Sequence, residues 1–204
     1  MVPYTGIKHV DDFIRLEIDN CEFHDIEIEF IHDKQVKTPD GCPSAGWFTT
    51  DRLVTATDWT LEQWLSVFVH ESCHKDQYIQ KAKSWEILYK GEDPCTILND
   101  WMNRVIELNE VDLKNVVRLA QRVELDCEIR TVKKIKKYNL PIDLEGNIKR
   151  ANENIFSYAV LRLTRTWDNT PEITKEIYDL MPSVFLNDYD TPPSRYVEIV
   201  KSWY

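Results

Sequence analysis

The chain has 204 residues, of which 43% are hydrophobic and 29% charged, as is usual for a globular protein with a sizeable core. Its 35 acidic and 25 basic residues give a formal net charge of −10. This balance argues against a nucleic-acid partner, because non-specific binding to phosphates requires a basic face.

Three further features predict a cytoplasmic protein without a membrane partner. The sequence contains no run of about eighteen apolar residues, the length that a membrane span needs. Its first residues, MVPYTGIKHVDDF, lack the basic and apolar regions of a signal peptide. The five cysteines are scattered without a CxxC pair, and their odd number favours reduced thiols over a disulfide framework.

The first quarter of the chain is expected to be β structure. Apolar and polar residues largely alternate over residues 27–31, which predicts a half-buried strand. The sequence TPDG at 38–41 predicts a turn, because Pro presets φ and Gly accepts a positive φ. Residues 53–57, rich in β-branched side chains, predict a second strand.

Helical periodicity begins after Thr60, where TLEQ fits a capping box, and continues to about residue 80. The sequence GEDP at 91–94 interrupts the pattern. Three further helices are then expected, over residues 97–108, 113–138 and 148–167. No linker is visible, so the sequence predicts one α+β domain over residues 1–204, with a small N-terminal sheet packed on a mostly helical body.

His70, Glu71 and His74 form an HExxH motif within the first of these helices. Residues i and i+4 lie one above the other on a helix, so both imidazoles can bind one metal ion. Glu71 can reach a water in the open position of the metal and remove its proton as general base. These ligands suit Zn²⁺, with Mn²⁺ and Co²⁺ still open. The alternative is a helix whose histidines are satisfied by hydrogen bonds alone.

A catalytic zinc needs a third protein ligand, and the other histidines all precede the motif. A downstream carboxylate is therefore expected. Glu124 and Glu128 lie one turn apart on the same face of the helix predicted over 113–138, whereas Asp126 points elsewhere. One of the two could bind the metal while the other accepts the N–H of a ligating histidine. A solvated charged stripe is the alternative interpretation.

HExxH followed by this acidic helical element resembles the gluzincins, zincin metallopeptidases whose third zinc ligand is glutamate. In gluzincins the first Glu of an ExxAD or ExxSD element binds zinc, and the acid four residues later supports a histidine. The resemblance implies that Glu124 is the ligand and Glu128 the supporting acid, with Cys127 in place of the small residue. The long interval after His74 implies a helical insertion over about residues 82–112.

The strings HESCHKDQ, ELDCEIRT and ANENIFSYAVLRLTRTW also resemble an uncharacterised, largely phage-encoded family assigned to the metallopeptidases. This resemblance implies a location in the host cytoplasm. In zincins the strand before the motif helix lies at the sheet edge and pairs with extended substrate; residues 46–57 would have this role, or would form an ordinary core strand.

Two other side-chain assignments complete the predicted site. An oxyanion-stabilising donor is expected, and Tyr158, Asn152 and Asn154 are the candidates, with Tyr158 as the choice. Packing or a structural hydrogen bond is the alternative role for each. Cys73, inside the motif, is interpreted as a small buried residue rather than a nucleophile.

The sequence therefore predicts a zinc-dependent metallopeptidase that hydrolyses amide bonds in a peptide or protein substrate, with Glu71 activating a zinc-bound water. A second hypothesis is a catalytically silent, zincin-like module that binds metal for stability or regulation. A third is a helical interaction protein without metal. The presence of Glu71 favours catalysis, because a structural site would need only the ligands.

Overall fold

A computed structural model describes residues 2–39, 41–165 and 174–202. These residues form seven helices and five short strands, which confirms the predicted α+β class. The chain forms two compact units. The first contains Met1–Trp85 and Cys127–Leu144, and the second contains Glu86–Asp126 and Glu145–Tyr204. The single domain and the insertion over about 82–112 stay predictions.

The first unit begins with a helix, α1 (Lys8–Phe23), so the expectation of β structure throughout the first quarter was wrong. The buried residues of α1 recur at the helical spacing of three and four, and they are Val10, Phe13, Ile14, Glu17 and Cys21. The sequence signal was present, but the polar residues between these positions obscured it.

Five strands follow: β1 (Glu27–Ile31), β2 (Val36–Lys37), β3 (Pro43–Ser44), β4 (Gly46–Phe48) and β5 (Arg52–Ala56). β5 lies between β1, with which it is parallel, and β4, with which it is antiparallel. The predicted strands at 27–31 and 53–57 are thereby confirmed, the second shifted by one residue. The expected edge position holds for β4, whereas β5, which directly precedes the motif helix, is the central strand.

β2 and β3 form a separate antiparallel pair, joined across the predicted turn. The N–H of Gly41 donates to the carbonyl oxygen of Thr38 at 2.8 Å, and Gly41 has a φ of 88°. The glycine is needed there because a side chain disfavours positive φ. Asp40, which also belongs to the predicted turn, lies outside the described residues.

The motif helix is α2 (Leu61–Ile79), and its predicted bounds are confirmed. Gln63 N–H donates to Thr60 Oγ1, and Thr60 N–H donates to Gln63 Oε1, which completes the capping box. One face of α2 is buried in a core that also contains Phe13 of α1 and Phe30 of β1. The ring of Phe68 lies 6.0 Å from Phe13 and 5.2 Å from Phe30, so this core fixes the motif helix against α1 and the sheet.

The remaining helices are α3 (Pro94–Met102), α4 (Glu110–Tyr138), α5 (Leu144–Thr164), α6 (Lys175–Leu180) and α7 (Ser194–Lys201). α4 contributes residues to both units. α3 ends at Met102 rather than at the predicted residue 108, and Arg104 then adopts the left-handed φ of 61° that commonly follows a helix. α5 ends at Thr164, while Trp167, its predicted end, falls outside the described part of the chain. None of the described helices combines the length and apolar character of a membrane span.

Candidate metal centre

His70 and His74 converge on one point from successive turns of α2. Their Nε2 atoms lie 3.1 Å apart, with the rings in an edge-to-face arrangement. Two imidazole nitrogens that bind one tetrahedral zinc at about 2.0–2.1 Å are separated by about 3.3 Å. The observed separation is therefore close to that of two ligands of a single ion.

The opposite ring nitrogens are each held by a hydrogen-bond acceptor. Nδ1 of His70 lies 3.0 Å from Glu128 Oε1, and Nδ1 of His74 lies 2.8 Å from Gln77 Oε1. Gln77 is oriented in turn by its Nε2, which donates to Ser84 Oγ at 3.3 Å. A carboxylate and an amide oxygen can only accept, so both histidines carry a proton on Nδ1. Each Nε2 is then available as a donor atom for a metal.

The groups around His70 favour a positive charge on its imidazole. Burial alone would lower the pKa of His70, but Cys127 and Glu128 outweigh it and raise this pKa well above its ordinary value. A divalent cation bound by both Nε2 atoms would compete with protons there, because a ligating imidazole nitrogen must be deprotonated.

Cys127 is the residue at this site that the sequence interpretation missed. Its thiol is fully buried, donates to the carbonyl oxygen of His70 at 3.3 Å, and lies 3.7 Å from Nδ1 of the same residue. The ligand atoms of His70, His74 and Cys127 all lie within 4.8 Å of one another, so this group could hold a metal ion. The sequence signal was a cysteine beside Glu128 on the acidic helix, but it was interpreted only as a small residue.

Glu71 of α2 lies beside Gly46 of β4. The residue is 8% exposed. A Cβ on Gly46 would lie 3.2 Å from Glu71 Cγ and only 2.6 Å from Val67 Cγ1. Glycine at position 46 therefore lets the backbone of the edge strand pass directly beside the glutamate of the motif.

Glu124 and Tyr158 lie together in the second unit. The Tyr158 hydroxyl donates to Glu124 Oε1 at 3.3 Å, and Asn154 Nδ2 lies 3.4 Å from Glu124 Oε2. Burial and the nearby Glu124 raise the pKa of Tyr158 well above its ordinary value, so its hydroxyl stays protonated and can donate. The assignment of Glu124 as ligand and Tyr158 as oxyanion donor stays a prediction.

Two other predicted assignments have clear structural outcomes. The Asn152 side chain donates to the carbonyl oxygens of Pro182 and Val184, which is the structural hydrogen-bonding role expected as the alternative for this residue. Cys73 is fully buried, and burial raises the pKa of its thiol to about 12. Its interpretation as a small buried residue is confirmed, and burial disfavours the thiolate that a nucleophile would need.

No protein family, curated protein or solved structure matches this chain. The resemblance to the gluzincins therefore rests on the sequence motif and remains an expectation. The described residues provide a pair of convergent imidazoles, a buried thiol, and the buried carboxylates of Glu71 and Glu128.

Proposed function

We propose that this protein is a zinc-dependent metallopeptidase that hydrolyses peptide bonds. The observation that carries the proposal is the convergence of His70 Nε2 and His74 Nε2 at 3.1 Å, while both Nδ1 atoms are held by acceptors. Two imidazoles oriented in this way are preorganised to bind a metal ion through their Nε2 atoms. Glu71, next to His70 on the same helix, supplies a carboxylate that a purely structural site would not need.

The donor set fits zinc, which accepts imidazole nitrogen, thiolate sulfur and carboxylate oxygen alike. When bound, zinc would act as a Lewis acid and lower the pKa of a water towards neutrality. Glu71 would accept the proton of the attacking water and deliver it to the leaving amine. Glu128 and Gln77 would keep the two imidazoles in the required tautomer and orientation.

The third protein ligand has two candidates. The gluzincin resemblance assigns this position to Glu124, with Tyr158 as a donor to the developing oxyanion. The geometry around His70 offers Cys127. Both lie on α4, three residues apart.

An extended peptide is the substrate that the edge of the sheet can bind. The backbones of Ala45 and Thr49 are hydrogen-bonded to β5. Hydrogen-bonded and non-hydrogen-bonded residue pairs alternate along an antiparallel ladder. The N–H and C=O of Phe48 therefore point away from β5, towards the outer edge of β4. A peptide strand could pair with these groups beside Glu71, which supports peptides or proteins as the substrate class.

A metal-binding module without catalysis is the second candidate function. The buried thiol of Cys127 favours it, because structural zinc sites are commonly closed by cysteine and histidine. In either case, a reducing cytoplasm would suit the five cysteines, which form no disulfide with one another. If the chain is phage-encoded, this would be the cytoplasm of the host.

The test measures metal content and turnover on the same untagged protein. We expect about one zinc per chain by mass spectrometry, loss of zinc in His70→Ala and His74→Ala, and full occupancy in the exposed control His32→Ala. A mixed peptide library should be cleaved, and a chelator should stop cleavage until zinc is restored. Zinc without cleavage would favour the binding module, and full zinc in both single variants would contradict the site.

A further inference from the structure

Three aromatic rings form a continuous surface next to His74. Phe48 of β4 lies 6.0 Å from Tyr78 and 5.7 Å from Trp85, measured between ring centroids, and Tyr78 and Trp85 are 6.2 Å apart. The ring of Trp85 is also 5.9 Å from that of His74. All four residues belong to the first unit.

This aromatic surface lies on the same side of the structure as the motif. Glu71, His74 and Tyr78 are spaced i, i+3 and i+7, so they lie along one face of α2. Alternate residues of a strand share a face, and Gly46 approaches α2 at Val67 and Glu71. Phe48, two residues later, thus points to the same face and contacts Tyr78. Strand β4 leads from the glutamate to the aromatic rings.

We propose that Phe48, Tyr78 and Trp85 form a subsite that selects a large apolar side chain in the peptide substrate. The proposal rests on the proposed function and names the class of residue that the site accepts. A peptide that pairs antiparallel with the outer edge of β4 would place one residue directly opposite Phe48. Opposite residues in a β ladder direct their side chains to the same face, here towards Tyr78 and Trp85.

The three aromatic rings are only partly buried, so a substrate side chain could pack against them. Tyr78 is 36% exposed, and Phe48 and Trp85 are half-buried. A Phe or Leu side chain would bury apolar area against them, whereas Ser would bury little and Asp would lose hydration. We expect a preference for Phe or Leu of about 10–100-fold in kcat/KM at one substrate position.

The test uses a peptide library in which one position at a time is fixed as Phe, Leu, Ser or Asp. Cleavage is measured with the zinc-loaded wild type, and equilibrium binding with zinc-loaded Glu71→Gln. Trp85→Ala and, as a variant at an exposed position, Tyr78→Ala should each reduce the preference without changing zinc content. Phe23→Ala is the matched control, because Phe23 is an aromatic residue of the same unit that is 81% exposed.

Each outcome decides between the two proposals. A preference that falls in both variants and persists in Phe23→Ala supports the subsite. Cleavage without a preference for Phe or Leu, or with a preference that neither variant changes, overturns the subsite but not the proposed peptidase function. Selective binding by Glu71→Gln without wild-type cleavage supports the subsite and overturns the enzyme. The absence of both binding and cleavage overturns both.

Discussion

Oε1 of Glu128 lies 3.0 Å from Nδ1 of His70, on the side of the ring opposite to the nitrogen that faces His74. This contact joins α4 to the motif helix and determines which nitrogen of His70 carries a proton. It is the contact expected of an acid that supports a metal ligand. Both carboxyl and imidazole are largely buried, so water competes weakly for the hydrogen bond.

Replacing Glu128 should weaken metal binding without abolishing it. Glu128→Ala removes the acceptor for His70 Nδ1–H, and we expect zinc affinity to fall about 10–100-fold. Glu128→Gln should lose less, because an amide oxygen still accepts. Competition titration with a chromogenic chelator measures both affinities, with the exposed Glu22→Ala as control. Unchanged affinity in Glu128→Ala would show that the contact does not support the metal.

The third ligand can be identified by comparing Glu124→Ala with Cys127→Ala. If Glu124 is the ligand, as the gluzincin resemblance implies, Glu124→Ala loses most of the zinc and Cys127→Ala keeps it. The cobalt-substituted protein should then lack the near-ultraviolet absorption of a cobalt–thiolate bond. Such a band in the wild type, lost in Cys127→Ala, would assign the position to the thiol instead.

Glycine 46 should be required for the approach of β4 to the motif helix. In Gly46→Ala the new methyl group would lie 2.6 Å from Val67 Cγ1 and 3.0 Å from the carbonyl oxygen of Val54. We expect a loss of about 1–3 kcal/mol in the free energy of unfolding, the usual cost of overpacking. Urea denaturation measures it. Val67→Ala in the same chain should restore part of the loss, whereas no loss in the single variant would contradict the close approach.

Local signals made much of the fold predictable. The capping box at Thr60 and the HExxH spacing depend only on residues within one helix, so the bounds of α2 follow from sequence. Helix α1 was missed because its five buried positions only become informative once a helical period is tested. The central position of β5 depends on strand pairing, which the strand sequences do not specify.

The site was predictable where one helix supplies the geometry. His70, Glu71 and His74 follow from their spacing, and Glu128 from its position one turn after Glu124. Cys127 and Gln77 have roles that depend on how α4 and the segment after α2 fold back on the motif helix. Those contacts are tertiary, and the spacing of residues in the sequence does not predict them.

A buried ion pair next to the motif should matter more for stability than any exposed pair. Lys75 Nζ lies 2.6 Å from Glu17 Oε2 and 2.6 Å from Asn20 Oδ1, and the lysine side chain is only 1% exposed. Lys75→Ala leaves the buried Glu17 carboxylate paired with Lys134 Nζ at 2.9 Å but removes its other charged partner. We therefore expect a loss of about 1–3 kcal/mol in unfolding free energy. Lys8→Ala, which removes the exposed pair with Asp12, should change little. Equal effects in urea denaturation would contradict the importance of burial.

Glu71→Gln tests the proposed chemistry separately from the metal. The substitution keeps the size of the side chain, and Glu71 is not a ligand in the proposed site, so zinc content and thermal unfolding should match the wild type. An amide cannot accept the proton of the attacking water, so kcat should fall at least about 10²–10⁴-fold. Metal analysis, circular dichroism and peptide hydrolysis on the same preparation measure all three. If Glu71→Gln retained wild-type turnover with zinc bound, Glu71 would not be the general base, and the mechanism would have to be abandoned although the metal site remained.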